Sequence, residues 1–317
     1  MHIQRRGAIG IGVEATPGVA VSPTHWVQFE GSPKINDKNE YKEIESARGR
    51  IEKIQNQKLM KTSGEGSIEM ILDETISVIP FGMILGAVSS ASAGAKYDHT
   101  ITVNNSNTPK TGTIIFDRVE DCRTFANSVI KQLDLKVSDG FAELKLDFVS
   151  KESATGAASP SYTTVTNFSF KELAVQFGVD AANAATATAT PLSGADLTIK
   201  RDAEVTYQTG SNSPANISYK TLEISGNYSL LFDDLVERDK YLNNTANAMI
   251  LTFTDASGNS IKITLSKVMI KNWDPSNSID DIVSQSSDFN AVYNATAQEA
   301  IRVVIKNTTE TYTNLSA

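Results

Sequence analysis

The sequence predicts an all-β protein with short helices. Two observations carry that prediction: apolar residues alternate with polar ones at a period of two, and turn residues separate such runs. In Ala142–Val149, Ala142, Leu144, Leu146 and Phe148 alternate with Glu143, Lys145 and Asp147, the pattern of a strand with one buried face. Just before it, Leu133, Leu135 and Val137 alternate with Asp134 and Lys136, and Ser138-Asp139-Gly140 lies between the runs. Asp-Gly between alternating runs is a hairpin signal, so Ile130–Ser150 is predicted to be one antiparallel hairpin.

From the N-terminus, Gly7-Ala8-Ile9-Gly10-Ile11-Gly12 superficially matches a phosphate loop. That fingerprint needs a strand before it and a helix after it. Here Pro17-Gly18 follows, and a flexible arm is expected. Asp37–Lys58 mixes both signs of charge, and a long excursion between strands is commonly functional or disordered. Its Lys42, Glu45, Arg48, Arg50, Glu52 and Lys53 are candidates for pairing with a neighbouring subunit; a solvated loop or helix face is the bland alternative. Gly66–Leu72 reads as a strand running into a helix over Asp73–Gly86. Asp73 and Glu74 suit its N-terminus, Ile76, Ile79 and Met83 share one side, and Pro80 should kink or break it.

Beyond the central hairpin, Gly156–Ser161 marks a boundary, which divides the chain into residues 1–155 and 156–317. Ala181–Thr190, rich in Ala and Thr without amphipathic period, is expected to be a surface loop or extended arm. Leu222, Ile224, Gly226, Tyr228, Leu230 and Phe232 alternate with polar residues, and a helix over Asp233–Asn243 should bury Leu235 and Leu242 on one face. Ile261, Ile263 and Leu265 follow the turn Asp255–Asn259. Phe289, Ala291, Tyr293 and Ala295 form one further face, and Ile301, Val303 and Ile305 another.

Two strand-to-helix junctions look alike. Gly66-Ser67-Ile68-Glu69-Met70-Ile71-Leu72-Asp73-Glu74 resembles Gly226-Asn227-Tyr228-Ser229-Leu230-Leu231-Phe232-Asp233-Asp234, about half the chain later. Trp26-Val27-Gln28-Phe29 likewise matches Ala174-Val175-Gln176-Phe177. Matches in a shared order predict one β plan used twice.

Hydrophobic residues are 40% and charged residues 21% of the chain, the range of a folded globular protein. The longest apolar stretch, Ile76–Val88, is interrupted by Ser77, Pro80, Gly82 and Gly86 and is too short for a bilayer-spanning helix. No secretory signal is expected after Arg5-Arg6. Cys122 is the single cysteine, so no internal disulfide can form, and a small, partly buried apolar role is expected. A net charge of −8 argues against a protein that grips nucleic acid, because phosphate binding needs a basic face. His2, His25 and His99 stand in no metal-ligand spacing and are expected at the surface or in loops. The paired acids Asp233-Asp234 and Asp280-Asp281 suit caps and loops. No catalytic, cofactor or metal constellation is present, and the chain is not expected to be an enzyme.

The opening Ile11-Gly12-Val13-Glu14-Ala15-Thr16-Pro17-Gly18 leading to Trp26, the Gly66–Leu72 junction, the Val129–Lys151 hairpin, and the close from Phe289–Tyr293 through Val304–Thr308 together resemble the siphophage major tail, or tail tube, protein family. The resemblance implies tandem tube-type β-sandwich domains, each with a flanking helix and a long loop. It implies copies that join inner-sheet strands into a ring with a continuous β-barrel lumen. It further implies stacked rings, DNA that passes without specific binding, contacts with tape measure, terminator and tip proteins at the tube ends, a place in the virion tail, and assembly in the host cytoplasm. Two tube domains per chain would give a three-subunit, pseudo-sixfold ring; the alternative for this chain is the hexameric ring of simpler members. A different class, a carbohydrate-binding or adhesin-like pair of β-sandwiches, would fit Asn/Thr-rich loops. Such a binder would usually show exposed aromatic clusters, whereas aromatics are 7% of the chain, with Trp26 and Trp273 the two tryptophans.

Overall fold

The computed structural model describes residues 4–276 and 283–315; His2 and Asp280-Asp281 lie outside them. The first half runs β1 (Ala8–Val13), β2 (His25–Val27), β3 (Phe29–Ile44), β4 (Asn56–Ile71), α1 (Val78–Leu85), β5 (Gly86–Ala93), β6 (Lys96–Val103), β7 (Gly112–Asp117), β8 (Cys122–Val137), β9 (Glu143–Ser150) and β10 (Ala154–Thr155). The second runs β11 (Leu173–Gly178), α2 (Ala181–Thr186), β12 (Gly194–Tyr207), β13 (Pro214–Leu231), α3 (Val236–Leu242), β14 (Asn247–Thr254), β15 (Ser260–Pro275), β16 (Ser284–Ala291) and β17 (Ile301–Asn307). The mostly-β expectation holds, and the strand pairs are antiparallel. The predicted hairpin is β8–β9, with Leu133 opposite Leu146 and Leu135 opposite Leu144.

Strand β8 serves two sheets. Its first half pairs with β7, which leads through β1 to β2. Its second half pairs with β9, followed by β4 and β3. Pairing shifts at Gly112/Ile114 and Ile130/Gln132 mark the passage, because an extra residue bends a strand. Strand β15 does the same. Its first half lies between β14 and β17 and its second half pairs with β16, followed by β13 and β12. Its shifts fall at Asn247/Met249 and Ile270/Asn272. Five pairings therefore recur in one order: β1–β7, β3–β4, β4–β9, β7–β8 and β8–β9 correspond to β11–β14, β12–β13, β13–β16, β14–β15 and β15–β16.

The glycines of the sequence match repeat in space. Gly66 lies opposite Phe148 and Gly226 opposite Phe289, and a Cβ on either glycine would sit 2.5 Å from the facing ring. Only glycine lets the strand pass so close. The other match does not survive: by its pairing, β11 takes the place of β1, whereas Trp26 and Val27 belong to β2. The halves also interlock. Strand β6 pairs with β17, Ile101 opposite Val303, and Tyr312 donates its hydroxyl to the Thr75 carbonyl at 2.8 Å. One apolar core extends through both halves.

Five local expectations are corrected. Gly7–Gly12 is no flexible arm: Ala8–Val13 is a buried strand between β2 and β7, and its glycines are needed because a Cβ at Gly10 would lie 2.7 Å from Pro23. The helix starts at Val78, later than predicted, so Pro80 falls in the first turn, where a missing N–H costs nothing. Within Ala181–Thr190 a short helix forms, its end capped by Asp180 accepting from the Asn183 amide at 2.8 Å. In α3 it is Glu237 that turns inward, accepting from the Tyr228 hydroxyl and from Lys240 at 2.6 Å, while Leu235 and Leu242 are exposed. Tyr293 is likewise exposed, lying beyond the end of β16.

Candidate assembly surfaces

The two four-stranded sheets meet edge to edge inside the chain. Strand β12 pairs with the second half of β8, Leu197 opposite Leu135 and Ile199 opposite Leu133. On the core side these four leucines and isoleucines are buried. On the other side Thr198 donates to the Asp134 carboxylate at 2.8 Å.

Past Arg201, β12 and β13 leave the sheet as an arm that lies across the first half. The residues Val205, Ile217 and Tyr219 alternate with Glu204, Thr206, Ser218 and Lys220, so the arm has one apolar face. That face covers Val129 and Val149. Tyr219 donates its hydroxyl to the Ile130 carbonyl at 2.8 Å, and burial pushes that phenol up from its ordinary pKa. At the tip, the Thr62 amide donates to the Asn212 carbonyl at 2.9 Å. Arg201 fastens the root. Its guanidinium donates to the carbonyls of Ile84 at 3.0 Å, Asn104 at 2.9 Å and Ser106 at 2.8 Å, with Leu85 at 3.4 Å, and stacks over Tyr219. Ile84 and Leu85 end α1, where carbonyls lack helical partners and a cation suits the dipole.

The matching excursion of the first half, the candidate segment Asp37–Lys58, is a second hairpin arm, formed by β3 and β4 with a loop over residues 45–55. Lys42 lies on β3, and Glu45, Arg48, Arg50, Glu52 and Lys53 lie in the loop, all exposed. The structure brings Lys53 to Glu45 at 3.1 Å; exposed pairs of this kind contribute about 0–1 kcal/mol. Tyr41, Ile44, Ile54 and Met60 are also exposed. The charge pattern drew attention to this segment in the sequence, but the apolar side chains among the charges did not.

Each of the two four-stranded sheets keeps one outer edge open among the described residues. Strand β3 pairs on one side with β4, and the second half of β15 pairs on one side with β16. At the β3 edge, Arg118 donates to the Ile35 carbonyl and, at 2.9 Å, to the Asn36 side chain. The turn that aims it holds Val119 at φ 79, a costly conformation for a β-branched residue.

An exposed arm and open strand edges are surfaces on which another chain can pair. The family model described as "Phage tail tube protein" matches residues 4–291. The chain belongs to the phage tail tube protein family. No curated protein matches it. Tail tube proteins are structural and non-enzymatic; membership implies a virion component that assembles with its own copies and other tail components.

The polar groups of this tail tube protein do structural work. His99 is buried, contrary to the surface position expected: it lies on β6 between Ser90 at 2.8 Å and Asn307 at 3.0 Å, edge-on to Tyr312. His25 stacks on Tyr312, and burial lowers its pKa. Cys122 is half-buried on β8, its thiol pKa raised by burial and by Asp117 and Asp121. Among the described residues no group of His, Cys, Asp and Glu is placed to hold a metal, and no helix is long and apolar enough to cross a membrane. Glu14, in the family-like opening, is buried and accepts from the Gly18 amide at 2.7 Å, Asn127 amide at 2.8 Å, Thr111 at 2.8 Å and Thr113 at 2.9 Å. It ties the N-terminal strand to β7 and β8.

Proposed function

We propose that this chain is a tail tube subunit with two tube domains, residues 1–155 and 156–317, and that three copies close a pseudo-sixfold ring whose stacking forms a conduit for DNA. The observation that carries this reading is the β8–β12 joint. Inside one chain it already joins two sheets of the same pairing order, and it leaves β3 and β15 as the outer edges. Strand β3 holds the place of β12, and β15 the place of β8, so the same joint repeated between copies closes the wall and removes exposed edges.

The pairing registers within the chain support a specific set of meeting residues for this joint. Gly66 opposite Ile35 matches Gly226 opposite Leu197, and Gln132 opposite Asp147 matches Asn272 opposite Asp288. Carried over from the internal joint, Asn36 of one copy faces Asp274 of the next, where Thr198 bonds Asp134 inside the chain. The solvent side of the two sheets carries Asp134, Asp147, Asp196, Asp288, Glu69 and Glu143 against Lys34, Lys136, Lys145 and Lys200. An acidic wall of this kind repels phosphate and lets DNA slide. Electron microscopy of the purified protein tests the reading: rings or tubes with three chains per ring are expected. Six chains per ring, or a protein that stays monomeric, refutes it.

A further inference from the structure

The arm of the second half has a seat, and the arm of the first half has none within its own chain. The two arms are built alike. Each begins after a pairing shift, at Arg201/Ala203 in one and Glu40/Tyr41 in the other. The first cross-strand pair beyond the shift is Ala203 with Tyr219 in the seated arm and Tyr41 with Leu59 in the free one. The aromatic has changed strand but keeps its position along the arm. Tyr219 is 2% exposed and Tyr41 is 54% exposed.

The seat recurs as well. The seated arm covers Val129 and Val149, a cross-strand pair at the passage of β8 between sheets. The corresponding pair on β15 and β16 is Met269 with Asn290. Asn290 of this pair lines an open groove of about 990 Å³ with Leu222, Ile224, Lys271, Ala291 and Tyr293 among others, and Met269 lies opposite it on β15. Leu222 occupies the position of Thr62, whose amide receives the tip of the seated arm. In chain order, α3 follows β13 as α1 follows β4 in the first half. Every residue of α1 is buried, whereas Tyr241 and Leu242 of α3 are exposed.

We infer that this groove is the receptor for the β3–β4 arm of a second copy of this chain, the next one around the ring. The inference rests on the tube reading above and adds to it a specific lock. Tyr41 and Leu59 lie over Met269 and Asn290, and the loop over residues 45–55 reaches Leu222. Asn290 replaces the valine of the internal seat, and tyrosine brings a hydroxyl to meet it; buried tyrosines ordinarily need such a partner. Because arm and groove are different surfaces, the contact is heterologous and propagates from copy to copy until the ring closes.

Cysteine cross-linking tests this. In a Cys122→Ser background, Leu59→Cys and Met269→Cys are made in separate proteins, mixed, assembled and oxidised. Disulfide-linked dimers are expected from the mixture and from neither protein alone. Hydrogen exchange on the wild-type protein is the second measurement: residues around Tyr41 and Met269 should exchange at least about tenfold more slowly in tubes than in free subunits. Tubes that show neither the link nor the protection overturn the seat and leave the tube reading intact. Wild-type protein that forms no rings or tubes overturns both.

Discussion

Arg201 should be the most costly single side chain to lose from the joint between the two halves. It is 5% exposed, burial lowers its pKa, and its guanidinium satisfies carbonyls at the end of α1 and at Asn104 and Ser106. Arg201→Met keeps much of the apolar stem but leaves those carbonyls facing a side chain that cannot donate. Unmet buried acceptors cost about 1–3 kcal/mol each, offset by removing the desolvation of the charge itself, so a net loss of about 3–5 kcal/mol is expected. Arg201→Lys keeps a charge but reaches fewer carbonyls, because a point ammonium lacks the planar fork; about 2 kcal/mol is expected. Urea unfolding followed by circular dichroism gives both values. Proteolysis near residues 208–213 should accelerate in Arg201→Met, since the arm loses its root. A methionine variant within about 1 kcal/mol of wild type, with an unchanged cleavage rate, would refute the view that the guanidinium fastens the arm.

Burial, the larger influence, and the charge of Glu74 hold the Asp73 carboxyl at a pKa of about 7, against the amides of Ile76 and Thr75. A folded-state pKa raised above the unfolded value of about 4 favours folding at low pH, and that contribution is lost as pH rises through 7. Asp73→Asn should therefore gain stability relative to wild type between pH 4 and pH 8, on the order of 3 kcal/mol, as seen in melting curves across that range. Gly226→Ala should lose about 3 kcal/mol or fail to fold, because its Cβ would sit 2.3 Å from the Asp196 carbonyl oxygen; a wild-type melting temperature would contradict the close approach. Glu14→Gln turns an amide toward the backbone N–H groups of Gly18 or Asn127 and should cost about 2 kcal/mol in urea unfolding. Deleting Lys42–Gln55 should leave soluble subunits that do not elongate, and wild-type assembly should weaken at high salt as exposed charges are screened; normal tubes from the deletion would sink the role given to that arm.

The strands were legible wherever one face is buried and the other solvated, as in Leu133–Val137 and Ala142–Val149, since alternation records that difference directly. Buried glycine strands such as Ala8–Val13 were not, because glycine there reports a close neighbour elsewhere in the chain. The α3 helix misled for a related reason. Leu235 and Leu242 look like core residues, yet in the single chain the inward place is taken by Glu237, which Tyr228 and Lys240 satisfy. The charged arm was visible as a segment. Its seat was not, because Met269 and Asn290 become a site only when β15 and β16 are aligned with β8 and β9.

Arg118 bears on the proposed ring closure through the strand edge it covers. With its guanidinium on the Ile35 carbonyl, the β3 edge of a lone subunit is already satisfied at that point, so a strand that docks there exchanges one hydrogen bond for another and gains little from the swap. In the proposed ring, two free subunits that pair through β3 must displace Arg118 with few other contacts to reward them. On the same proposal, a subunit that joins a partly built ring meets an edge and a groove at once, and the exchange is carried by the rest. On the proposed closure, formation of the first ring is therefore slower than its extension, and purified subunits should form tubes after a lag.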